Sequence, residues 1–253
     1  MDDLAPTRSP TFSVVIPAYN EERRLPGTLR KVTDHLGAAG LAYEVIVVDD
    51  GSTDATSRVV KEAARRDPAV WLLATPHRGK GYATRSGMLA ASGERRAFVD
   101  ADLPMPVGDL TRLAGQLDGC DLVIASREGP GAERLDEPFA RHVMGRVFNG
   151  LVRVLATPDI QDTQCGLKCF TADCARTVFS RQTIDGFGFD VEILFIARRL
   201  GYRIRQLPIT WRHVPASRVD PLRDTLRMLL DVARVRWNDR RGRYRHPGDL
   251  PPT

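Results

Sequence analysis

Asp100-Ala101-Asp102 places two carboxylates at i, i+2 spacing directly after the apolar run Ala97-Phe98-Val99. On an extended segment that spacing turns both side chains to one side, and the small residue between them lets a ligand come close. Such a pair suits a hard divalent cation, Mg²⁺ or Mn²⁺, that bridges a diphosphate. A second acidic cluster, Asp49-Asp50, ends the run Glu44-Val45-Ile46-Val47-Val48 and leads into Gly51-Ser52-Thr53-Asp54. Adjacent acids at a buried strand end are costly without a partner, whereas Ser52 or Asp54 can simply cap the helix that follows. In a third segment, Pro17-Ala18-Tyr19-Asn20-Glu21 follows the apolar run Ser13-Val14-Val15-Ile16. Pro17 stops a strand ladder, Tyr19 offers a ring on which a base can stack, and Glu21 can accept from a ribose or a base N–H. Each of these alone is an ordinary strand–turn–helix or a solvated surface acid; their recurrence at strand ends gives them weight.

The elements that must position these residues alternate. Apolar strands are expected over residues 12–17, 43–48, 70–74, 97–99 and 121–125, and helices over 21–37, 56–66, 79–91 and 107–117. That rhythm predicts βαβ units and a mostly parallel sheet, whose carboxyl edge is where ligands bind. After Ala125 the rhythm breaks. A polar loop is expected over 126–138, a helix with a broad apolar face over 141–156, an edge strand over 165–170, a helix over 190–200, a strand over 202–208 and a last helix over 222–237. In that last helix Leu222, Leu226, Leu229, Leu230, Ala233 and Trp237 project together, with Met228, Val232 and Val235 extending the face and arginines opposite. Such a helix fits either an interfacial position on a membrane or packing on the domain. Residues 1–11 and the basic, Pro-rich 240–253 read as loose tails.

With 253 residues and 42% hydrophobic residues, one large α/β domain with a real core is expected. The net charge of +5 admits phosphorylated ligands, anionic lipid or nucleic acid. Nucleic acid is disfavoured, because the basic tail lacks interleaved aromatics beyond Tyr244 and no reader motif is present. Cys120, Cys165, Cys169 and Cys174 have neither CxxC nor His spacing for zinc, which leaves reduced, partly buried thiols of a cytoplasmic protein. No signal peptide is evident, and no stretch reaches the ~18 apolar residues of a spanning helix. A soluble or peripheral protein, cytoplasmic or on the cytoplasmic face of a membrane, is therefore expected.

Taken in order, these pieces resemble the inverting family 2 glycosyltransferases, which have the GT-A fold. Arg78-Gly79-Lys80-Gly81-Tyr82-Ala83-Thr84-Arg85-Ser86-Gly87 is similar to that family's RGKGxAxRxG segment and lacks the spacing of a Walker loop. Asp162-Thr163-Gln164-Cys165-Gly166-Leu167-Lys168-Cys169-Phe170 resembles the DTQCGFKLF pattern of dolichyl-phosphate β-glucosyltransferases, and Phe189-Asp190-Val191-Glu192-Ile193-Leu194 resembles their FDVEL stretch. The likeness runs from about residue 12 to 237. Eukaryotic members carry an N-terminal membrane helix, which has no counterpart in this sequence.

The resemblance implies a fold: an α/β GT-A domain with a Rossmann-like, mostly parallel sheet flanked by helices, over residues 12–221, followed by an amphipathic helix over 222–239. It implies an inverting transfer of a hexose, glucose from UDP-glucose, to a polyprenyl or dolichyl phosphate. Rival readings are GDP-mannose as donor, a hydroxyl acceptor, or a non-catalytic sugar-nucleotide-binding protein. Under it, Pro17, Tyr19, Glu21, Asp49, Asp50, Asp100, Ala101 and Asp102 contact the nucleotide sugar. Asp100 and Asp102 hold Mg²⁺ or Mn²⁺, with Asp102 the direct ligand. Lys80 and Arg85 assist at the diphosphate, Asp190 or Asp162 supplies a base if the acceptor is a hydroxyl, and Arg127 with Arg141 holds an acceptor phosphate.

Overall fold

Residues 10–136, 150, 156–212 and 221–245 are described from a computed structural model, with side chains of the last helix from Arg227 onward. Among them, strands β1 (Phe12–Ala18), β2 (Tyr43–Asp50), β3 (Val70–Thr75), β4 (Arg95–Val99), β5 (Leu122–Ser126), β7 (Leu167–Thr171) and β8 (Ile204–Pro208) form a seven-stranded sheet in the order β3-β2-β1-β4-β7-β5-β8. Two short strands, β6 (Glu133–Leu135) and β9 (Thr210–Arg212), pair in parallel as a separate ribbon. The helices are α1 (Leu25–Ala38), α2 (Thr56–Arg66), α3 (Lys80–Ala90), α4 (Asp109–Ala114, continued by a 3₁₀ turn at Gly115–Gly119), α5 (Ala172–Arg181), α6 (Phe189–Arg199) and α7 (Pro221–Arg240).

Both faces of the sheet are covered, which is why its strands read as continuous apolar runs. Alternation sorts them. Val15, Ile46, Val48, Phe98 and Ile124 pack under α3, α5, α6 and α7. Val14, Ile16, Val45, Val47 and Val99 pack under α1, α2 and α4. In α1 the buried stripe Leu25, Leu29, Val32 and Leu36 follows helical periodicity, and Pro26 near its start donates no N–H that the helix would miss.

Four expectations are corrected. The segment at 165–170 is an interior strand: β7 runs antiparallel between β4 and β5, and its apolar side chains are fully buried on both faces. Its polar Lys168 invites an edge assignment, but that ammonium is itself paired in the interior (below). The loop at 126–138 contains β6. Helix α5 is new; its signal was Thr171, whose side chain accepts from the Cys174 N–H as an N-cap. Finally, the segment after α7 is docked up to Arg245, with Tyr244 wholly buried. The expected tails at 1–9 and 246–253, and all but its residues 150 and 156 of the expected helix at 141–156, lie outside the described residues.

Candidate active site

Strands β1, β2 and β4 are parallel, so their carboxyl ends emerge at one edge. The order reverses there: β2 and β3 lie to one side of β1, and β4 to the other. This switch point opens a crevice. A cleft of about 560 Å³ fills it, lined on one side by Pro17, Tyr19, Glu21 and Asp50, at the floor by Lys80, Asp100, Ala101 and Asp102, and on the far side by Phe187, Arg227, Met228 and Asp231.

The near wall is wired by carboxylates that accept from loop amides. Asp50 takes the N–H groups of Arg78 and Gly79, each at 2.9 Å, and faces His77 Nδ1 at 2.8 Å. It therefore fixes the turn that delivers Lys80. Tyr19 stacks on His77 with ring centroids 4.1 Å apart and planes 18° from parallel. Asp49 points the other way, accepting from Ser52 N at 2.9 Å and from the Ser57 hydroxyl at the start of α2. Asn20, in the left-handed region at φ 53°, ties the β1 loop to the β2 loop by accepting from Thr53 N at 2.8 Å. The cost of adjoining acids is thus met largely by the protein's own donors.

At the floor, Lys80 Nζ lies 2.6 Å from Asp100 Oδ1. Burial alone would lower the Lys80 pKa, but the Asp100, Asp190 and Asp102 carboxylates outweigh it and hold the ammonium charged. Asp100 sits opposite Gly166, one step beyond the β4–β7 pair Val99–Leu167. A Cβ on Gly166 would come within 2.1 Å of Asp100 Oδ2, so only glycine leaves that carboxylate room. Asp102 has a different environment. Its Oδ1 is buried without a hydrogen-bond partner among the described residues, and its Oδ2 is 4.0 Å from Arg24 Nη1. Burial, then the neighbouring Asp100, pushes the Asp102 pKa above the ordinary carboxylate value. A divalent cation fits this donor set: it would supply the missing partner and relieve the repulsion. Among the described residues no three His, Cys, Asp or Glu side chains form a metal cage, so such a cation needs further oxygens from its ligand.

Beneath the floor lies a second layer of charge. Lys168, fully buried, reaches Asp190 Oδ1 at 2.5 Å and the Cys165 carbonyl at 2.8 Å. Burial raises the Asp190 pKa, while Lys168 and Lys80 oppose the rise. Further on, Arg127 forms a fork on Asp162, Nε to Oδ2 at 2.7 Å and Nη2 to Oδ1 at 2.8 Å, with Trp211 against its guanidinium. Burial opposes ionisation of Asp162, but the Arg127 charge and hydrogen bonds hold its pKa at about 2.

The far wall comes from distant segments. Residues 182–188 precede α6, and α7 lies over them. A Cβ on Gly188 would come within 2.4 Å of Asp231 Oδ2, so α7 sits directly on that backbone. Burial raises the Asp231 pKa, Arg234 offsets this, and Glu192 adds to it. The face of α7 is divided: Val232 and Val235 are buried and Met228 half-buried, while Leu230 and Trp237 are 64% and 53% exposed. The apolar arc expected from the sequence is wide enough to serve two surfaces, and packing takes the side extended by Met228.

Of the residues singled out in the sequence, Pro17, Tyr19, Glu21, Asp50, Lys80, Asp100, Ala101 and Asp102 share the cleft. Asp49, Arg85, Asp190 and Arg127 do not line it. Asp49 is turned to α2, Arg85 Nε donates to the Phe179 carbonyl at 3.1 Å, Asp190 lies under the floor, and Arg127 is engaged by Asp162. Arg141 lies outside the described residues. Sequence reasoning missed Arg24, His77, Gly166, Arg227 and Asp231. Only Gly166 had a signal, a glycine beside a strand that opposes an acidic pair; the rest depend on long-range packing.

The model of glycosyl transferase family 2 matches residues 13–180 of the chain. A dolichyl-phosphate β-glucosyltransferase of Dictyostelium discoideum is 32% identical over 243 residues, covering 89% of this chain and 74% of that protein. One from Drosophila melanogaster is 35% identical over 239 residues, covering 87% and 73%. Among solved structures, glucosyl-3-phosphoglycerate synthase from Mycobacterium tuberculosis, in complex with Mn²⁺, UDP and glucosyl-3-phosphoglycerate, superposes with a TM-score of 0.64 at 22% identity over 89% of this chain and 80% of that one, a likeness of fold.

Proposed function

Because the chain belongs to glycosyltransferase family 2, we propose that it transfers glucose from UDP-glucose to a polyprenyl phosphate with inversion at the anomeric carbon. The observation that carries this reading is the Asp100/Asp102 pair at the crevice floor, with one buried Asp102 oxygen that has no hydrogen-bond partner among the described residues. The dolichyl-phosphate β-glucosyltransferase activity of the relatives supports the acceptor class.

In this reading Asp102, aided by Asp100, would hold Mg²⁺ or Mn²⁺, which when bound neutralises charge on the departing diphosphate. Tyr19, stacked on His77, and Glu21 hold the nucleotide on the near wall. Asp50 acts through the Arg78–Gly79 amides by fixing where Lys80 stands. Lys80, 2.6 Å from Asp100, adds a positive charge beside the leaving group. A phosphate monoester, with its second pKa near 6, is already largely dianionic at neutral pH and needs cations rather than a base. Asp162 and Asp190, buried and ion-paired off the cleft wall, agree with a reaction that needs none. Arg127 and Arg141 are kept as the cations of the acceptor phosphate, Arg127 with its fork anchored on Asp162. One observation favours a hydroxyl acceptor instead: Asp231, a cleft-wall carboxylate whose pKa is raised by burial, is placed as a base would be.

The test incubates the full chain with Mg²⁺ or Mn²⁺, UDP-glucose or GDP-mannose, and a short polyprenyl phosphate, with lipid-linked hexose read by mass spectrometry. The expected product is glucosyl-lipid from UDP-glucose alone, abolished by chelation. Mannosyl-lipid from GDP-mannose would overturn the donor assignment. Cation-dependent release of UDP without lipid product, lost in Asp231→Asn, would replace the lipid by a hydroxyl acceptor. Full transfer by the double variant Arg127→Ala/Arg141→Ala would remove the arginines from the acceptor site.

A further inference from the structure

The far wall of the cleft is held by four hydrogen-bonding side chains from four segments. Glu192 of α6 is fully buried, yet among the described residues no cation is hydrogen-bonded to it. It accepts from Thr183 N at 2.9 Å, Ile184 N at 2.8 Å, the Thr183 hydroxyl at 2.7 Å and the Tyr244 hydroxyl at 2.6 Å. Asn238 of α7 closes the circuit, its Nδ2 donating to Thr183 Oγ1 at 3.0 Å and to Tyr244 Oη at 3.1 Å. Glu192, Thr183, Asn238 and Tyr244 thus form a ring in which every hydroxyl both donates and accepts.

Tyr244 reaches this ring because α7 ends in a glycine-capped turn. Gly242 has φ 74°, Arg243 N bonds to Asn238 O at 3.1 Å, and Gly242 N bonds to Asp239 O at 2.9 Å. This is the paired 6→1 and 5→2 pattern that reverses a chain after a helix. It folds Tyr244 back, edge-on against Phe195 at 6.0 Å.

The ring touches the cleft from two directions. It is anchored to α7, the helix that carries Asp231 and Met228 of the cleft. Through residues 182–188 it reaches the floor: Gln182 Nε2 donates to Gly81 O at 2.9 Å, and Tyr82 N donates to Asp185 O at 3.1 Å. A Cβ on Gly81 would come within 2.6 Å of Ile184 O, so the turn bearing Lys80 lies directly on this segment. We propose that Tyr244, through Glu192, is a positioning residue for transfer: the turn after α7 is an integral support of the cleft, setting Lys80 and Asp231 relative to the Asp100/Asp102 floor. The proposal rests on the transferase reading above.

The test is Tyr244→Phe in the full chain, which keeps the ring packing on Phe195 and removes the hydroxyl. Amide exchange at Thr183 and Ile184 is followed without substrate, alongside transfer kinetics well below the melting temperature. Exchange at both amides accelerates, and kcat/KM for the nucleotide sugar is expected to fall about tenfold, the equivalent of about 1.4 kcal/mol of transition-state stabilisation. A merely structural role would lower the melting temperature and leave the kinetics of the folded protein unchanged. Thr183→Val should reproduce both effects and Thr183→Ser should restore both, which covers the case in which Tyr244→Phe fails to fold. Wild-type exchange in Tyr244→Phe, or faster exchange with unchanged kcat/KM, overturns the proposal. If the wild-type chain transfers no hexose, the transferase reading fails separately, and the exchange of the two amides alone decides the ring.

Discussion

The two walls of the cleft are built on opposite plans. The near wall is made of consecutive strand–helix loops, at β1, β2 and β3, and its carboxylates are answered by backbone amides a few residues or one loop away. The far wall joins residues 182–188 to α7 and its terminal turn, and is held by side-chain hydrogen bonds between distant segments. The near wall is therefore preset by local geometry, while the far wall exists only once the whole chain is packed. The floor between them, Asp100 and Asp102, depends on both: the carboxylates follow β4, and the glycine that gives Asp100 its space directly precedes β7.

The sharpest way to separate floor from walls is Asp102→Asn. Transfer should fall by roughly 10²–10³-fold, the scale seen when one preorganised electrostatic contact to a reacting centre is removed. Stability should move the other way. The pKa of Asp102 is raised in the folded state, first by burial and then by Asp100. Its ionisation therefore costs stability as pH rises from the usual carboxylate value through the raised one. Above that window the cation-free variant should melt higher than wild type. Mn²⁺ should raise the melting temperature of wild type and not of the variant, and the rise in wild type should fade as the pH is lowered and the proton displaces the ion. An unchanged Mn²⁺ response in Asp102→Asn would move the cation elsewhere.

A smaller effect is expected where the two halves meet. Gly166→Ala drives a Cβ into the Asp100 carboxylate and should cost about 1–3 kcal/mol of stability, as overpacking does, together with most of the transfer activity. Gly27→Ala is the control, since a Cβ there meets nothing within 4 Å and α1 gains helix propensity. Calorimetry on the pair checks both signs; equal melting temperatures would show that β4 shifts freely.

The smallest effect belongs to the outer surface of the far wall. Leu230 and Trp237 are exposed on α7, Arg241 lies over the Trp237 ring at 4.8 Å, and Arg227, Arg234 and Arg236 are exposed along the same helix. No helix among the described residues is long and apolar enough to cross a membrane. If α7 rests on a bilayer, Leu230→Ser/Trp237→Ser should reduce sedimentation with anionic vesicles while leaving transfer to a detergent-dispersed acceptor within about twofold, because only interfacial burial is lost. Equal sedimentation of the double variant would leave α7 as a wall of the cleft and nothing more.

The near wall was largely legible in the sequence because strand ends, turns and acidic clusters are local signals. The sheet edge, Tyr19 and Asp50, and the floor pair Asp100 and Asp102, follow from apolar runs that stop at polar residues, whereas Lys80 was singled out only through the family resemblance of its segment. What was misjudged there was direction: Asp49 and Asp50 are neighbours in sequence, but successive side chains of a strand face opposite ways, and only Asp50 looks into the cleft. The far wall was poorly legible. Lys168 reads as an edge-strand lysine until Asp190 is seen to meet it in the interior. Tyr244 lies in a stretch whose arginines suggest a solvated tail, although Gly242 after the last periodic position was an available stop signal. Asp231 is one acid among the arginines of α7, and nothing local to it reveals the glycine it covers.

The antiparallel β7 also sets a timetable for the chain. Strands β1 to β4 lie side by side in the order 3-2-1-4, so every pairing among them can form once β4 is complete, and only the far edge of β4 still waits for β7. β5 has no such option: its neighbours β7 and β8 both come later in the sequence. During synthesis, therefore, the amino-terminal half-sheet can condense early, whereas β5 must wait with both edges open, a state in which a strand is exposed to wrong partners. The crevice at the β1/β4 junction is laid down first, and the half that turns it into a closed cleft arrives last.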